Sequence, residues 1–165
     1  MTVAGVRAEL EALLPRLRRC ARALSRNAAD ADDLVQTAIE RALGHAGQLR
    51  SDAQLAPWMF GILRNAWIDE RRARARRLRV FAPEESAAEV ADPRQAVPDE
   101  ALALGEALRQ LPEEQRLAVA LVLIEGLSYK EAAHVMEIPI GTLTSRLARA
   151  REALQAMLGE PGAHR

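Results

Sequence analysis

Residues 81–98 break an otherwise helical pattern and therefore divide the chain. Apolar residues recur at helical spacing on both sides of this stretch, whereas the periodicity disappears within it. Prolines and carboxylates dominate it, namely Pro83, Pro93, Pro98, Glu84, Glu85, Glu89 and Asp92. Such a composition is typical of an extended acidic linker. The pattern predicts one domain over 1–80, an acidic linker over 81–98 and a second domain over 99–160.

The composition favours helix in both domains. Aromatic residues make up only 3% of the 165 residues, and Ala, Leu and Arg are abundant. Ala and straight-chain residues lose little conformational freedom in a helix, and period-two runs of β-branched or aromatic residues, which mark strands, are scarce. We therefore predict an all-α protein, made of two small helical domains joined by a flexible linker.

The formal net charge of zero hides a segregated distribution. Residues 1–80 carry 15 basic and 9 acidic side chains, residues 81–110 carry 2 and 7, and residues 111–165 carry 6 and 7. The net charges of these three blocks are therefore +6, −5 and −1. Because the first block is basic, the neutral total does not exclude a nucleic-acid partner.

The residue patterns of most enzymes are missing. Cys20 is the single cysteine, and its apolar neighbours on a helix indicate packing rather than redox chemistry. The three histidines are isolated from Cys and carboxylates, and no Gly-rich phosphate loop is present. We expect no catalytic residues, no metal and no cofactor. Because no signal peptide and no membrane-spanning apolar run are visible, we expect a cytoplasmic protein without membrane contact of its own.

The first domain is predicted to hold helices of different character. A short helix over about 5–13 precedes one that begins near Pro15, since proline suits a first helical turn. A helix over about 30–44 opens with carboxylates, and a Gly-containing loop follows over 44–56. The helix over about 57–78 is apolar nearly all round in its first half, which predicts burial, and strongly basic in its second half.

The second domain contains a helix-turn-helix pattern. Four helices are predicted, over about 99–110, 113–125, 128–136 and 139–158. Ser128 and Glu131 match the capping box, in which each side chain accepts a hydrogen bond from the other residue's backbone N–H. A short turn at 137–139 follows, where Glu137 stands at a position that usually favours Gly or Asn.

The helix predicted over 139–158 has two distinct faces. Steps of 100° collect apolar residues on one side: Ile140, Leu143, Leu147, Ala150 and Leu154. The opposite side collects small, hydroxylated and charged residues, namely Gly141, Thr144, Ser145, Ala148, Arg149 and Glu152, with Arg146 and Arg151 at its flanks. Small side chains permit close approach to DNA, and Arg can pair bidentately with guanine. The preceding capped helix and turn favour a DNA-reading face over an ordinary solvated one.

A polar stripe runs along the helix predicted over 57–78. Its members follow one another at i, i+4, i+7 and i+11: Asn65, Asp69, Arg72 and Arg76. An amide, a carboxylate and two guanidiniums suit the capture of an unstacked base and its phosphates. An ion pair between Asp69 and Arg72 at the surface is the simpler alternative. The stripe by itself does not decide between the two.

Taken together, these segments resemble the extracytoplasmic-function branch of the sigma-70 family. ADDLVQ at 31–36 resembles the region 2 helix that docks on the polymerase clamp, and PWMFGILRN at 57–65 resembles the promoter −10 segment. LPEEQR at 111–116 and GLSYKEAA at 126–133 resemble region 4. GTLTSRLARAR at 141–151 resembles its −35 recognition helix. Both modules match in the family's order, over nearly the whole chain except the linker and the last residues.

The resemblance implies partners and a role for each set of residues. Core RNA polymerase, through its β and β′ subunits, would contact Asp32, Asp33, Gln36 and Glu40. The −10 DNA would contact Asn65, Asp69, Arg72 and Arg76, with a flipped base held by Asn65 and the 44–56 loop. The −35 DNA would contact Thr142, Thr144, Ser145, Arg146 and Arg149. Members of the family are typically held inactive by an anti-sigma factor. The linker would run through the polymerase cleft, or serve as a plain solvated spacer.

The chain departs from the family pattern at the recognition helix. Thr144 stands where the family usually has Lys or Arg, and Ala148 replaces what is often a larger residue. Both changes alter −35 recognition. Few aromatic residues flank Asn65, which predicts capture of one or two bases and a stringent choice of promoter.

Two other functions fit parts of the pattern. A sigma-like decoy that only sequesters an anti-sigma factor would need the protein-facing surface but not Asn65, Arg72 or Arg149. A plain helix-turn-helix regulator would use its first half as a sensor, yet that half lacks a polar pocket. The function predicted from the sequence is an alternative sigma factor that directs promoter-specific, stress-responsive transcription initiation under anti-sigma control.

Overall fold

The computed structural model describes residues 2–49, 54–80 and 99–159, and their regular structure is helical throughout. They fall into two compact units, one before the 81–98 segment and one after it. The predicted all-α class is confirmed, with two helical units. The predicted acidic linker lies outside the described residues.

The first unit is built on α1 (Val3–Leu24), a single helix where two are predicted. Thr2 caps it by accepting a hydrogen bond from the backbone N–H of Gly5 at 3.1 Å. Pro15 lies inside the helix on its exposed side. An interior proline costs about 3 kcal/mol, but one apolar stripe continues past it, and its burial offsets that cost: Val6, Leu10, Leu17, Cys20, Ala21 and Leu24. The predicted break at Pro15 is therefore wrong.

The helices α2 (Ala28–Gly44) and α3 (Leu55–Val80) complete the first unit. Asn27 starts α2 by accepting a hydrogen bond from the N–H of Asp30 at 2.8 Å. The three helices pack on one another pairwise. A 3₁₀ turn over Ala46–Gln48 occupies part of the predicted 44–56 loop and buries Ala46, and residues 50–53 lie outside the description.

The core of the first unit reaches only partway along α3. Its buried side chains are Leu55, Met59, Phe60, Leu63, Ala66 and Trp67. Trp58 and Ile62 are half-buried, so the first half of α3 is less completely covered than its composition predicts. No residue after Trp67 is buried, although the helix continues to Val80. The basic second half of α3 therefore lies on the surface.

The second unit contains α4 (Asp99–Gln110), α5 (Glu113–Val119), α6 (Tyr129–Met136) and α7 (Ile140–Leu158). The helical path of α5 continues in a π-helical turn over Ala120–Ile124, which the apolar spacing does not reveal. Arg116 joins α5 to the end of α4. Its guanidinium donates to the carbonyl oxygens of Leu108, Arg109 and Leu111 at 2.9, 2.8 and 3.0 Å. These bonds cap the C-terminal end of α4, where carbonyls lack the i+4 N–H donor of a helix interior, and the carbonyl of Leu108 also accepts from the N–H of Leu111 at 3.1 Å.

The connection from α6 to α7 is set by local chemistry. The Ser128 and Glu131 capping box is present, with hydrogen bonds of 3.1 and 3.0 Å, as predicted. Glu137 ends α6 in the left-handed conformation, with φ of 56°, so the turn there has the backbone that usually favours Gly or Asn. The N–H of Ile138 bonds the carbonyl of Ala133 at 3.0 Å and closes the turn. This turn sets the direction in which α7 leaves.

Candidate nucleic-acid and protein interfaces

One side of α7 is packed and the other is open, as the helical spacing predicts. Leu143, Leu147 and Ala150 are buried against the unit. The opposite face is exposed along its whole length: Gly141, Thr144, Ser145, Ala148, Arg149 and Glu152. A Cβ added at Gly141 meets nothing within 4 Å, so packing inside the protein does not require a glycine there. The open face is therefore smooth at its start and cationic at Arg149.

Three residues of α7 lie differently from the prediction. Ile140 is predicted to be buried but is 49% exposed, because it is the first residue of the helix and lies beyond the packed stretch. Thr142 is half-buried. Arg146 is also half-buried, and its Nη2 lies 3.3 Å from Oε2 of Glu114. Arg146 is thus held against α5, whereas Arg149 projects from the open face.

The two hydroxyl groups on the open face already make hydrogen bonds. Oγ1 of Thr144 donates to the carbonyl of Ile140 at 2.9 Å, and Oγ of Ser145 donates to the carbonyl of Gly141 at 3.1 Å. Bonds to the i−4 carbonyl are the usual arrangement for Ser and Thr inside a helix. While these bonds are made, each hydroxyl presents its oxygen lone pairs outwards.

The polar stripe on α3 is exposed, but its carboxylate has a partner that the sequence did not reveal. Oδ2 of Asp69 accepts from Nη1 of Arg41 on α2 at 2.8 Å, so the ion pair predicted as the alternative, with Arg72, is wrong. Asn65 is exposed and accepts from Nη1 of Arg64 at 3.4 Å. Arg72 and Arg76 are exposed and make no ion pair with any residue the structure describes.

Three other arginines of this region are held by neighbouring groups. Arg74 pairs with Asp30 at the start of α2, at 3.1 Å. Arg77 pairs with Glu70 within α3, also at 3.1 Å. The guanidinium of Arg71 lies 4.6 Å from the ring centre of Trp67, over the ring. Neighbouring arginines in one basic segment are thus separated into held and available groups.

The acidic face of α2 borders an open groove of about 640 Å³ against α1. Its lining comes from both helices: Leu14, Arg18, Arg22, Asp32, Val35, Gln36, Ile39 and Glu40. Nε2 of Gln36 donates to Oε1 of Glu40 at 3.3 Å. Asp33 is exposed but does not line the groove. Arg18 and Arg22 were not predicted for this surface, because spacing within α1 does not reveal which side of it meets α2.

Two further properties of the described ranges concern metal binding and membrane insertion. Within 2–49, 54–80 and 99–159, no three His, Cys, Asp or Glu side chains come together in a way that could hold a metal ion. None of the helices in these same ranges has the length and apolar character to cross a membrane.

Comparison with known proteins gives consistent matches. The families described as Sigma-70 region 2 and Sigma-70, region 4 match residues 10–77 and 101–154. The ECF RNA polymerase sigma factor SigM of Mycobacterium tuberculosis H37Rv is 41% identical over 162 residues, covering 95% of this chain and 81% of SigM. The ECF RNA polymerase sigma factor EcfG of Rhodopseudomonas palustris is 37% identical over 159 residues, covering 96% and 88%.

Solved structures give a similar result. The sigma factor RpoE, in its complex with the anti-sigma factor NepR from Bartonella quintana, superposes with a TM-score of 0.84 at 33% identity. The match covers 92% of this chain and 95% of RpoE. CnrH, in complex with the cytosolic domain of CnrY, superposes with a TM-score of 0.67 at 25% identity.

Proposed function

The chain belongs to the extracytoplasmic-function (ECF) branch of the sigma-70 family, and from this we propose how its surfaces direct transcription. It is an alternative sigma factor that binds core RNA polymerase and directs promoter-specific initiation. Sigma factors are initiation factors rather than enzymes. Since polymerase and promoter lie in the bacterial cytoplasm, the protein acts there. The observation that carries the proposal is the open face of α7, where Thr144, Ser145 and Arg149 are exposed opposite a packed apolar face.

The open face of α7 reads the −35 element. A helix fits the major groove when its exposed side is small and polar, which Gly141, Thr144 and Ser145 provide. The guanidinium of Arg149 can donate two hydrogen bonds to guanine, to its O6 and N7 acceptors. Arg146 belongs to the same site as a positioning residue, because its pair with Glu114 fixes α7 against α5. Thr142, which is half-buried, is assigned to the same site. The absence of a cation at Thr144 leaves Arg149 as the main cationic contact of this face.

The exposed stripe of α3 binds the −10 element. Asn65 has the amide donors and acceptor needed to hold an unstacked base. Arg72 and Arg76 bind phosphates, because neither is engaged by a carboxylate of the described residues. Asp69 is assigned a positioning role, since its negative charge repels phosphate and its carboxylate holds Arg41 of α2.

The groove between α1 and α2 receives core polymerase. It combines an apolar floor, which Val35 and Ile39 contribute, with both signs of charge at its edges. An amphipathic helix of the β′ clamp fits such a groove, because its apolar side can enter while its charges pair at the rim. Asp32, Gln36 and Glu40 line this surface and Asp33 lies exposed on the same helix.

Control by an anti-sigma factor follows from the relatives. RpoE is solved in complex with the anti-sigma factor NepR, and it matches this chain over nearly its whole length. We assign the present chain an anti-sigma partner that covers the polymerase- and DNA-binding surfaces until a stress signal releases it. This regulation separates the chain from a permanently active initiation factor.

Reconstitution with core polymerase tests the proposal. The full chain with core enzyme is expected to start transcription from a specific promoter, whereas core enzyme alone does not. Asp32→Ala and Gln36→Ala are expected to weaken core binding in a pull-down, while Glu9→Ala, an exposed carboxylate of α1 outside the groove, leaves it unchanged. A chain that captures an anti-sigma factor but never core polymerase would instead be a decoy.

The role of Asn65 is tested separately on the promoter. Asn65→Ala is expected to leave binding to closed duplex promoter intact and to reduce open-complex formation, measured by permanganate reactivity of unpaired thymines. Arg77→Ala is the control, because Arg77 lies on the same helix but is held by Glu70. Equal loss of duplex binding and of opening in Asn65→Ala would exclude a role in base capture.

A further inference from the structure

The hydroxyl groups on the open face of α7 share one polarity when they donate to the helix backbone. Each hydroxyl carries one hydrogen, and both hydrogens point to backbone carbonyls of the same helix, from Thr144 to Ile140 and from Ser145 to Gly141. The lone pairs of both oxygens remain for an external partner. Since both residues are exposed, this surface presents two hydrogen-bond acceptors side by side.

Arg149 adds a hydrogen-bond donor to the same face as the two hydroxyl acceptors. Arg149 lies four residues after Ser145 and is exposed on the same face, so a donor follows the two acceptors along the helix. Gly141 precedes Ser145 by four residues and leaves the space before it open. Along the helix, this face therefore presents open space at Gly141, then the acceptors of Thr144 and Ser145, and then the donor of Arg149.

This polarity distinguishes among the chemical groups of DNA. Phosphate oxygens, guanine O6 and thymine O4 are acceptors and cannot donate to a hydroxyl lone pair. In the major groove, the groups that can donate are the exocyclic amines, N6 of adenine and N4 of cytosine. A hydroxyl that turns to donate to a phosphate gives up its bond to the helix carbonyl, whereas accepting from an amine keeps that bond.

We propose that Thr144 and Ser145 are specificity-determining residues that accept hydrogen bonds from adenine N6 or cytosine N4 in the −35 element. This inference rests on the proposed function, because it requires α7 to enter the major groove. It assigns the two hydroxyls to base reading rather than to phosphate contact. The −35 element then contains adenine or cytosine opposite these residues, with guanine opposite Arg149.

The test removes single amines from the DNA. The full chain is assembled with core polymerase, and its preferred −35 sequence is selected from randomised duplexes. Each adenine of that sequence is then replaced by purine, which lacks only the N6 amine, and each cytosine by its analogue without the N4 amine. Binding of the holoenzyme is measured by fluorescence anisotropy at one fixed salt concentration.

The expected result links particular amines to particular hydroxyls. Loss of the critical amine weakens wild-type binding about 3- to 10-fold, the range for one hydrogen bond. Ser145→Ala or Thr144→Val binds more weakly to intact DNA and no longer responds to that amine. Thr144→Ser, which keeps the hydroxyl, restores the response. Gln155→Ala, an exposed polar residue near the end of α7, retains the full wild-type response.

Other outcomes overturn the inference and can be told apart. If no amine deletion affects a holoenzyme that has selected a clear −35 sequence, the acceptor role is wrong and the proposed function stands. If Ser145→Ala instead abolishes the response to a methylphosphonate, which removes one phosphate charge, the hydroxyls contact phosphate. If the wild-type holoenzyme selects no −35 sequence at all, the reading role of α7 and the acceptor role both fail.

Discussion

The two units hold the helices to which DNA binding is assigned in different ways. α7 is fixed along one side by apolar packing, with the ion pair of Arg146 and Glu114 at its edge. The second half of α3 has no buried residue, and charged pairs with α2 hold it instead. The open face of α7 is nearly neutral, whereas the open face of α3 is rich in guanidiniums. A neutral, packed helix is suited to reading sequence, and a cationic, ion-paired helix to binding backbone charge.

Removal of Arg72 and Arg76, which make no ion pair with any described residue, should give the largest effect. Arg72→Ala with Arg76→Ala is expected to cost about 3 kcal/mol or more in promoter binding, because each loses a charge-assisted bond to phosphate. The slope of log affinity against log salt should fall by roughly 1.5. Titrations at several salt concentrations measure both. Arg77→Ala, already paired with Glu70, should change neither. An equal effect of Arg77→Ala would remove the distinction between held and available arginines.

Substitution of Arg149, on the open face of α7, should have a smaller and more selective effect on promoter binding. Arg149→Ala is expected to weaken binding by about 1–3 kcal/mol, and only to promoters that carry the matching −35 base, because its contact is with a base edge. Competition between matched and mismatched promoters measures this selectivity. Arg7→Ala removes an equal charge from the exposed side of α1 and should have no effect. Uniform weakening across all sequences would make Arg149 a phosphate contact and erase the contrast with α3.

Gly141 and Gly61, which both have open surroundings inside a helix, allow stability to be separated from binding. Gly141→Ala should stabilise α7 by about 0.5–1 kcal/mol, since the added methyl meets nothing within 4 Å. The same methyl should weaken −35 binding if this face approaches DNA closely. Hydrogen exchange of the α7 amides and promoter titration measure the two effects. Gly61→Ala on α3 has similar open space and serves as the comparison. Unchanged −35 binding in Gly141→Ala would argue against close approach.

The smallest effect is expected at the ion pair between α2 and α3. Asp69→Asn should reduce the free energy of unfolding by about 0.5 kcal/mol or less, because both side chains are substantially exposed and solvent screens the pair. Arg41→Ala should reduce it by a similar amount, and the double variant by no more than either alone. Chemical denaturation of the four proteins measures this coupling. Additive losses would show that Asp69 acts independently of Arg41.

Local chemistry explains which features could be predicted from the sequence. The capping box at Ser128, the left-handed Glu137 and the two faces of α7 depend on residues within one or two turns of one another. The pairs of Asp69 with Arg41 and of Arg74 with Asp30 join residues 28 and 44 positions apart. No local spacing reveals such partners, because they depend on the relative rotation of two packed helices. The roles assigned to the polymerase- and DNA-contacting residues stay predictions.

Two errors show where local rules fail. The rule that proline begins a helix fails at Pro15, because the apolar stripe of α1 continues past it without a change of phase. The assignment of Ile140 to the buried face fails because spacing gives direction but not how far the neighbouring helices extend. In both cases the packing around the residue determines its helical conformation or its burial, and the residue's own propensity does not.

The ion pairs of α3 have a mechanical consequence for strand separation. A pull on Arg76 bends α3 about its last fixed point. With Arg74 tied to Asp30, that point lies two residues away, a lever arm of about 3 Å. If Trp67 were the last fixed residue, the lever arm would be about 13 Å. The shorter arm reduces the bending moment about fourfold, and the load passes into α2. If Arg76 binds the promoter strand as proposed, tension from that strand passes through the pair of Arg74 with Asp30 into α2, the helix to which polymerase docking is assigned.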